Sequence, residues 1–195
     1  MSFWIVRATC ILNLIVLLTV ASVIAVSNLQ PVIDTPLENQ SAEAWQFSHA
    51  TCGYSISLPA DWEPILVRSF SPKGELYDPI SFMGPLSRIG MFNPKITIRS
   101  REVDPGVDFD ESFDEFVSDT KDSGSTIHGT GTAMLNDVEA SWFAYTSPDG
   151  DVSVLQYVVT NEQSTHFITC IAPKDAFEFH RYTYEAIVET FELGK

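Results

Sequence analysis

A chain of 195 residues with 26 acidic and 11 basic side chains carries a formal charge of −15 at neutral pH. A surface so acidic repels phosphate backbones, which sets nucleic acid aside as a partner. Apolar residues make up 45% of the chain, enough for one domain with a sizeable core.

Met1 to Ser27 (1–27) has the pattern of an export leader. After Arg7 the run from Ala8 to Val26 is apolar except for Thr9, Cys10, Asn13, Thr19 and Ser22, and Ala25-Val26-Ser27 supplies the small residues of a signal-peptidase site. Two readings stand: a signal peptide cut before Asn28, or an uncleaved membrane anchor, since the run approaches the roughly 20 apolar residues that cross a bilayer. Either one keeps Arg7 inside and exports the rest, because no Lys or Arg occurs between Ser27 and Arg68. The expected location is therefore extracytoplasmic: periplasm, cell surface or thylakoid lumen. Membrane contact through the N-terminal segment is expected only if it stays uncleaved. Without the leader, 10 basic and 26 acidic residues leave a charge of −16.

Residues 28–44 hold two prolines, three acids and few large apolar side chains, the composition of a flexible linker. The folded domain is expected over 45–195. Trp45–His49 and Tyr54–Leu58 have strand character on either side of Ala50-Thr51-Cys52-Gly53, and Ile65–Phe70 and Lys95–Val103 follow as a third and a fourth strand. Of three cysteines, Cys10 belongs to the leader. Cys52 and Cys170 remain, and a pair in an exported chain points to a disulfide. The alternative is two small buried hydrophobes on separate strands.

Between the third and fourth strands lies a segment rich in Pro and Gly yet too apolar for disorder. A short strand over Ile80–Met83 would reduce the true loop to Gly84–Pro94. Charge marks the same region, since Arg68 to Arg101 has a net charge of +4 whereas Glu102 to Lys195 has −15. Such asymmetry orients a docking event. The expected protein-partner surface is Leu86, Ile89, Met91 and Phe92, ringed by Arg88, Lys95 and Arg101. In the competing reading the same apolar residues fold back as a lid on the sheet.

Ser112 to Gly124 reads as a helix with a Ser112/Glu115 capping box, a buried stripe of Phe113, Phe116, Val117 and Thr120, and Gly124 at the C-terminal cap. The preceding Asp104, Asp108, Asp110 and Glu111 lack the spacing of a calcium loop and read as a solvated acidic face, so no metal is expected. From Ser125 to Ala172, four strand-period runs are parted by Asn136-Asp137, Pro148-Asp149-Gly150-Asp151 and Asn161-Glu162-Gln163, which predicts an antiparallel meander. A closing helix from Pro173 presents Phe177, Tyr184, Ile187, Val188 and Phe191 at helical spacing.

No nucleophile elbow, zinc motif, phosphate loop or dinucleotide fingerprint is present, so no catalytic residue and no cofactor are expected. His166 and Cys170 share a strand face, with helical His180 expected beneath. Four residues along a strand is roughly 13 Å, too far for a Cys–His nucleophile.

The order "YSISLPADW" (Tyr54–Trp62), a third strand, a Ser-started helix, "LND" (Leu135–Asp137) at a hairpin and "DAFEFHRYTYEAIVETFEL" (Asp175–Leu193) resembles the PsbP-like family over Phe47 to Leu193. The resemblance implies an α+β fold, an α/β/α sandwich on a central antiparallel sheet. It also implies a mostly non-enzymatic role docking onto membrane-protein complexes. The functional expectation is an exported binding domain, an accessory or assembly factor for an envelope or membrane protein complex. The alternative is an extracytoplasmic domain for a small ligand or metal ion, with a hydrolase activity the motifs do not reveal.

Overall fold

A computed structural model describes residues 44–66, 79–89, 91–103 and 109–194. The leader, nearly all of the linker, Arg68, Lys73, Asp104 and Asp108 lie outside the described residues. Among those described, no helix is long and apolar enough to cross a membrane.

The strands run β1 Trp45–His49, β2 Tyr54–Leu58, β3 Glu63–Leu66, β4 Ile80–Met83 and β5 Lys95–Glu102. Helix α1, Phe109–Asp122, precedes β6 Thr126–Leu135, β7 Val138–Thr146, β8 Val152–Thr160 and β9 Ser164–Pro173. Helix α2, Lys174–Val188, and the two-residue strand β10, Glu192–Leu193, complete the described chain.

The expected meander forms, because β6, β7, β8 and β9 are consecutive antiparallel neighbours. Its first turn is the two-residue Asn136-Asp137, where Asn136 takes φ +52°, a left-handed conformation that Asn tolerates. Gly150, at φ +80°, fills the corresponding role in the second turn, with its N–H donating to the Ser147 carbonyl at 2.9 Å.

Long-range pairing then joins what the sequence leaves separate. The central sheet has the order β3-β4-β5-β9-β8-β7-β6, so β9 lies beside β5 with Ile96 opposite Cys170 and Ser100 opposite His166. Because β5 and β6 are consecutive but stand four places apart, α1 carries the chain across one face. Strands β1 and β2 do not join this sheet. They pair with each other, and β2 also pairs with β10, in a second, three-stranded sheet. Phe47 meets the Phe82 ring at 5.1 Å, and Tyr54 stacks on Phe191 at 5.5 Å, so this small sheet closes the core beside α2.

The period of two assigns the faces. Phe82, Ile96, Ile98, Leu155, Ile168 and Cys170 point from the central sheet toward α2 and the small sheet, and each is at most 2% exposed. From above, Tyr184 and Phe191 close over them, and the Tyr184 hydroxyl donates to the Ile171 carbonyl at 2.7 Å. Phe143 and Phe167 point to the opposite face, where Phe113 and Phe116 of α1 meet them edge-on. A helix on each face of an antiparallel sheet is the α+β arrangement expected.

Two local expectations shift. Helix α1 starts at Phe109, three residues before Ser112, because Phe109 packs on Phe113 one turn later and extends the apolar stripe backwards. Ser112 thus lies inside the helix, and the Ser112/Glu115 capping box does not form its start. Gly124 does take the left-handed conformation expected of it, at φ +94°. Pro173 ends β9 opposite Val152 and stands just before the helix rather than in its first turn.

Candidate functional site

The connection between β4 and β5 is Gly84–Pro94, and it is cross-linked at its base. The Gly84 N–H donates to the Pro94 carbonyl at 2.8 Å, and Asn93 Nδ2 donates to the Gly84 carbonyl at 2.8 Å. A side chain at the base would force its neighbours to shift, because a Cβ on Gly84 would lie 2.8 Å from both Pro94 Cγ and Trp62 Cε2. Nearer the tip, the Ser87 N–H donates to the Phe92 carbonyl at 2.7 Å. The tip is tied down by α2, since His180 Nε2 lies 3.2 Å from Ser87 Oγ and its ring meets Phe92 edge-on at 5.3 Å. His180 therefore turns to the loop, not to a place beneath His166, and partial burial holds its pKa below the ordinary histidine value.

This arrangement divides the expected partner surface. Phe92 folds back against the core and anchors the loop. Leu86, Ile89 and Met91 stay 56%, 41% and 74% exposed, with exposed Arg88 among them, and Met91 is held at φ +52°. On the helix that tethers them, Phe179 and Tyr182 are 65% and 83% exposed on either side of His180 in sequence. Of the seven large apolar residues exposed among the described residues, three thus belong to this one loop. Lys95 stands at the base of the loop. Arg101 does not ring it, because six residues of extended strand set it roughly 20 Å from Lys95.

Arg101 belongs to a second site on the other face. Its guanidinium lies 5.2 Å from the centre of the Phe167 ring, at the sheet wall of a pocket of about 340 Å³ beneath α1. Phe109, Phe113 and Phe116 form the helix wall, Val158 and Phe167 the floor, and Ser112, Glu115 and Asp119 the rim. Helix α1 does not close on the sheet here, which is why Phe116 is 39% exposed although it touches both Phe143 and Phe167.

A third cluster is wholly internal. His166 is 0% exposed, with Nδ1 2.9 Å from Ser100 Oγ and Nε2 2.8 Å from Ser164 Oγ, while Tyr54 and Phe191 pack against its ring. Burial, with His49 nearby, pushes its pKa down to about 4, so the imidazole is neutral. A Ser–His pair at this distance has the spacing of a nucleophile and its base. Here the second ring nitrogen meets a hydroxyl instead of a carboxylate and all three side chains are buried, so the cluster is a satisfied core network.

The expected disulfide does not form: Cys52 and Cys170 are both buried free thiols. Cys52 sits in the β1–β2 turn, its thiol hydrogen-bonded to Ser100 and 3.9 Å from His49 Nε2. Cys170 lies opposite Ile96, four residues along β5 from Ser100. That offset is roughly 13 Å, beyond the roughly 4.4–6.8 Å between Cα atoms that a bridge spans. Among the described residues, no three His, Cys, Asp or Glu side chains converge on a metal position.

The loop limits and the apolar content of the loop are legible in the sequence; which of its apolar residues stay exposed is not. The α1 pocket is not. Its only signals are Phe109, one turn before Phe113, and an apolar stripe on a strongly acidic helix.

No known family's sequence profile matches the chain, and no curated protein matches it in sequence. Its fold does have counterparts among solved structures. Cyanobacterial PsbP (CyanoP) from Synechocystis sp. PCC 6803 superposes with a TM-score of 0.57 at 14% identity, over 78% of this chain and 93% of that one. LpqN, described as involved in cell envelope biogenesis of Mycobacterium tuberculosis, gives 0.57 at 15% identity over 80% and 94%. PA94 from Pseudomonas aeruginosa, a protein of unknown function described as a putative regulator, gives 0.52 at 10% identity over 75% and 94%. The fold is PsbP-like.

Proposed function

We propose that this PsbP-like chain is an extracytoplasmic, non-catalytic binding domain that docks onto a membrane protein complex as an accessory or assembly factor. The observation that carries this reading is the exposure of Leu86, Ile89 and Met91 together on one loop whose base is cross-linked. Exposed apolar groups that cluster mark interaction sites, whereas scattered ones need no explanation. A loop held by Gly84, Asn93 and His180 presents them with little ordering cost on binding. Arg88 gives the patch a cation on an otherwise acidic chain, which favours one docking orientation. The leader pattern and the structural likeness to CyanoP and LpqN support an exported accessory role.

The test is affinity purification from mildly solubilised native membranes, comparing the wild-type chain with a Leu86→Ser/Met91→Ser double variant. Phe92 is left intact because it anchors the loop. A near-stoichiometric membrane complex with the wild type, lost in a variant whose urea midpoint is unchanged, supports the reading. Equal recovery with both chains, or recovery of the protein alone, overturns it.

A small-ligand role is the second reading, and the pocket beneath α1 is the observation that favours it.

A further inference from the structure

The pocket beneath α1 is separate from the loop corner and carries its own chemistry. Its walls are faces and edges of phenyl rings from Phe113, Phe116 and Phe167, and a volume of about 340 Å³ takes one bicyclic aromatic group. Charge decides which aromatic ligand fits. Glu115 and Asp119 stand on the helix rim, and α1 as a whole carries six carboxylates against Lys121 alone. The field of a chain with net charge −15 has the same sign. The one cation in the lining, Arg101, is on the opposite, sheet wall and already covers the face of Phe167. A carboxylate ligand would therefore face two acids across the pocket, whereas an ammonium would meet them and the remaining ring faces favourably.

We infer that this pocket binds a small aromatic or alkyl amine, the apolar part lying among Phe113, Phe116 and Phe167 and the ammonium at Glu115 and Asp119.

A matched pair of probes tests it: 2-(2-naphthyl)ethylamine and 2-naphthylacetate, titrated calorimetrically into the full chain at pH 7, with amide chemical shifts recorded in parallel. The amine is expected to bind one to one, at least tenfold more tightly than the acid, with shifts confined to Arg101, 109–119, Val158 and 165–167. Ser112→Trp, which places an indole in the pocket mouth, abolishes binding. Glu115→Gln/Asp119→Asn weakens it by about fivefold, in keeping with exposed charge pairs. Equal or tighter binding of the acid, shifts centred on 84–92, or no binding of either probe overturns the inference. Should Ser112→Trp fail to fold, the carboxamide variant and the shift map still decide, since an unchanged amine affinity in that variant removes the assigned role of the two acids.

Discussion

The two helices of this protein have much the same design on paper and opposite fates in the structure. Both carry an aromatic stripe on one side and acids on the other. In α2, the stripe residues Phe177, Tyr184, Ile187 and Val188 are all at most 5% exposed. In α1, none of the described side chains is fully buried. The difference comes from what lies beneath and beside each helix. Helix α2 shares its face of the central sheet with a second sheet, and Phe47, Tyr54, Trp62 and Phe191 fill the remaining space. Helix α1 has for its rings a shallow floor of Phe143, Val158 and Phe167, with a pocket left at its Arg101 side. Stability is concentrated on one face of the sheet. The other face keeps surface available for binding.

This contrast can be broken by substitution. Tyr184→Ala removes a fully buried ring and its hydrogen bond to the Ile171 carbonyl, and should cost about 3–5 kcal/mol by urea denaturation. A loss comparable to that of an exposed residue would mean that α2 is not the principal seal.

Acid should act on the same sealed face. His166 titrates near its ordinary 6.5 when unfolded but at about 4 when folded, so the unfolded chain binds the proton first. The stabilisation is complete above pH 6.5 and is lost as pH falls from 6.5 through 4, a loss on the order of 2–3 kcal/mol. Urea midpoints at pH 7 and pH 4.5 should differ clearly in the wild type and much less in His166→Gln, which cannot take up a proton. An identical pH response in both chains would transfer the acid sensitivity to other groups.

Gly84→Ala sharpens the boundary between scaffold and loop. Its methyl would press on the Trp62 ring and Pro94, at a cost of about 1–3 kcal/mol. Proteolysis should then cut the Gly84–Pro94 loop faster than the rest of the domain. The smallest effect belongs to the open face: Phe116→Ala should cost only about 1 kcal/mol, because a ring already 39% exposed regains little hydration. Thermal unfolding of the two alanine variants Tyr184→Ala and Phe116→Ala, measured side by side, reads the comparison directly.

Much of the architecture is legible in the amino-acid order. The meander, the turns at Asn136 and Gly150, the α2 stripe and the loop limits Gly84 and Pro94 follow from local rules: a period of two, a period of 3.6, and a few residues that tolerate unusual φ. Whether Leu86, Ile89 and Met91 face solvent or fold back as a lid does not follow from those rules, and the structure exposes them. Where the pattern misleads, it does so by proximity along the chain. Arg101 is near the loop in sequence, but roughly 20 Å of strand separates it from Lys95. Cys52 and Cys170 pair by count, while strand register keeps them apart.

Local sequence dictates the elements and the sides of those elements that seek cover, because these depend on neighbours a few residues away. Which cover each side receives is settled only by tertiary packing. That packing places β9 against β5 and thereby sets Ser100 on His166, withdraws β1 and β2 into a second sheet, seals α2 and leaves α1 ajar. Such outcomes are fixed by register between segments tens of residues apart and by how much volume remains once the larger side chains are seated, and neither quantity is written in any local window of the chain.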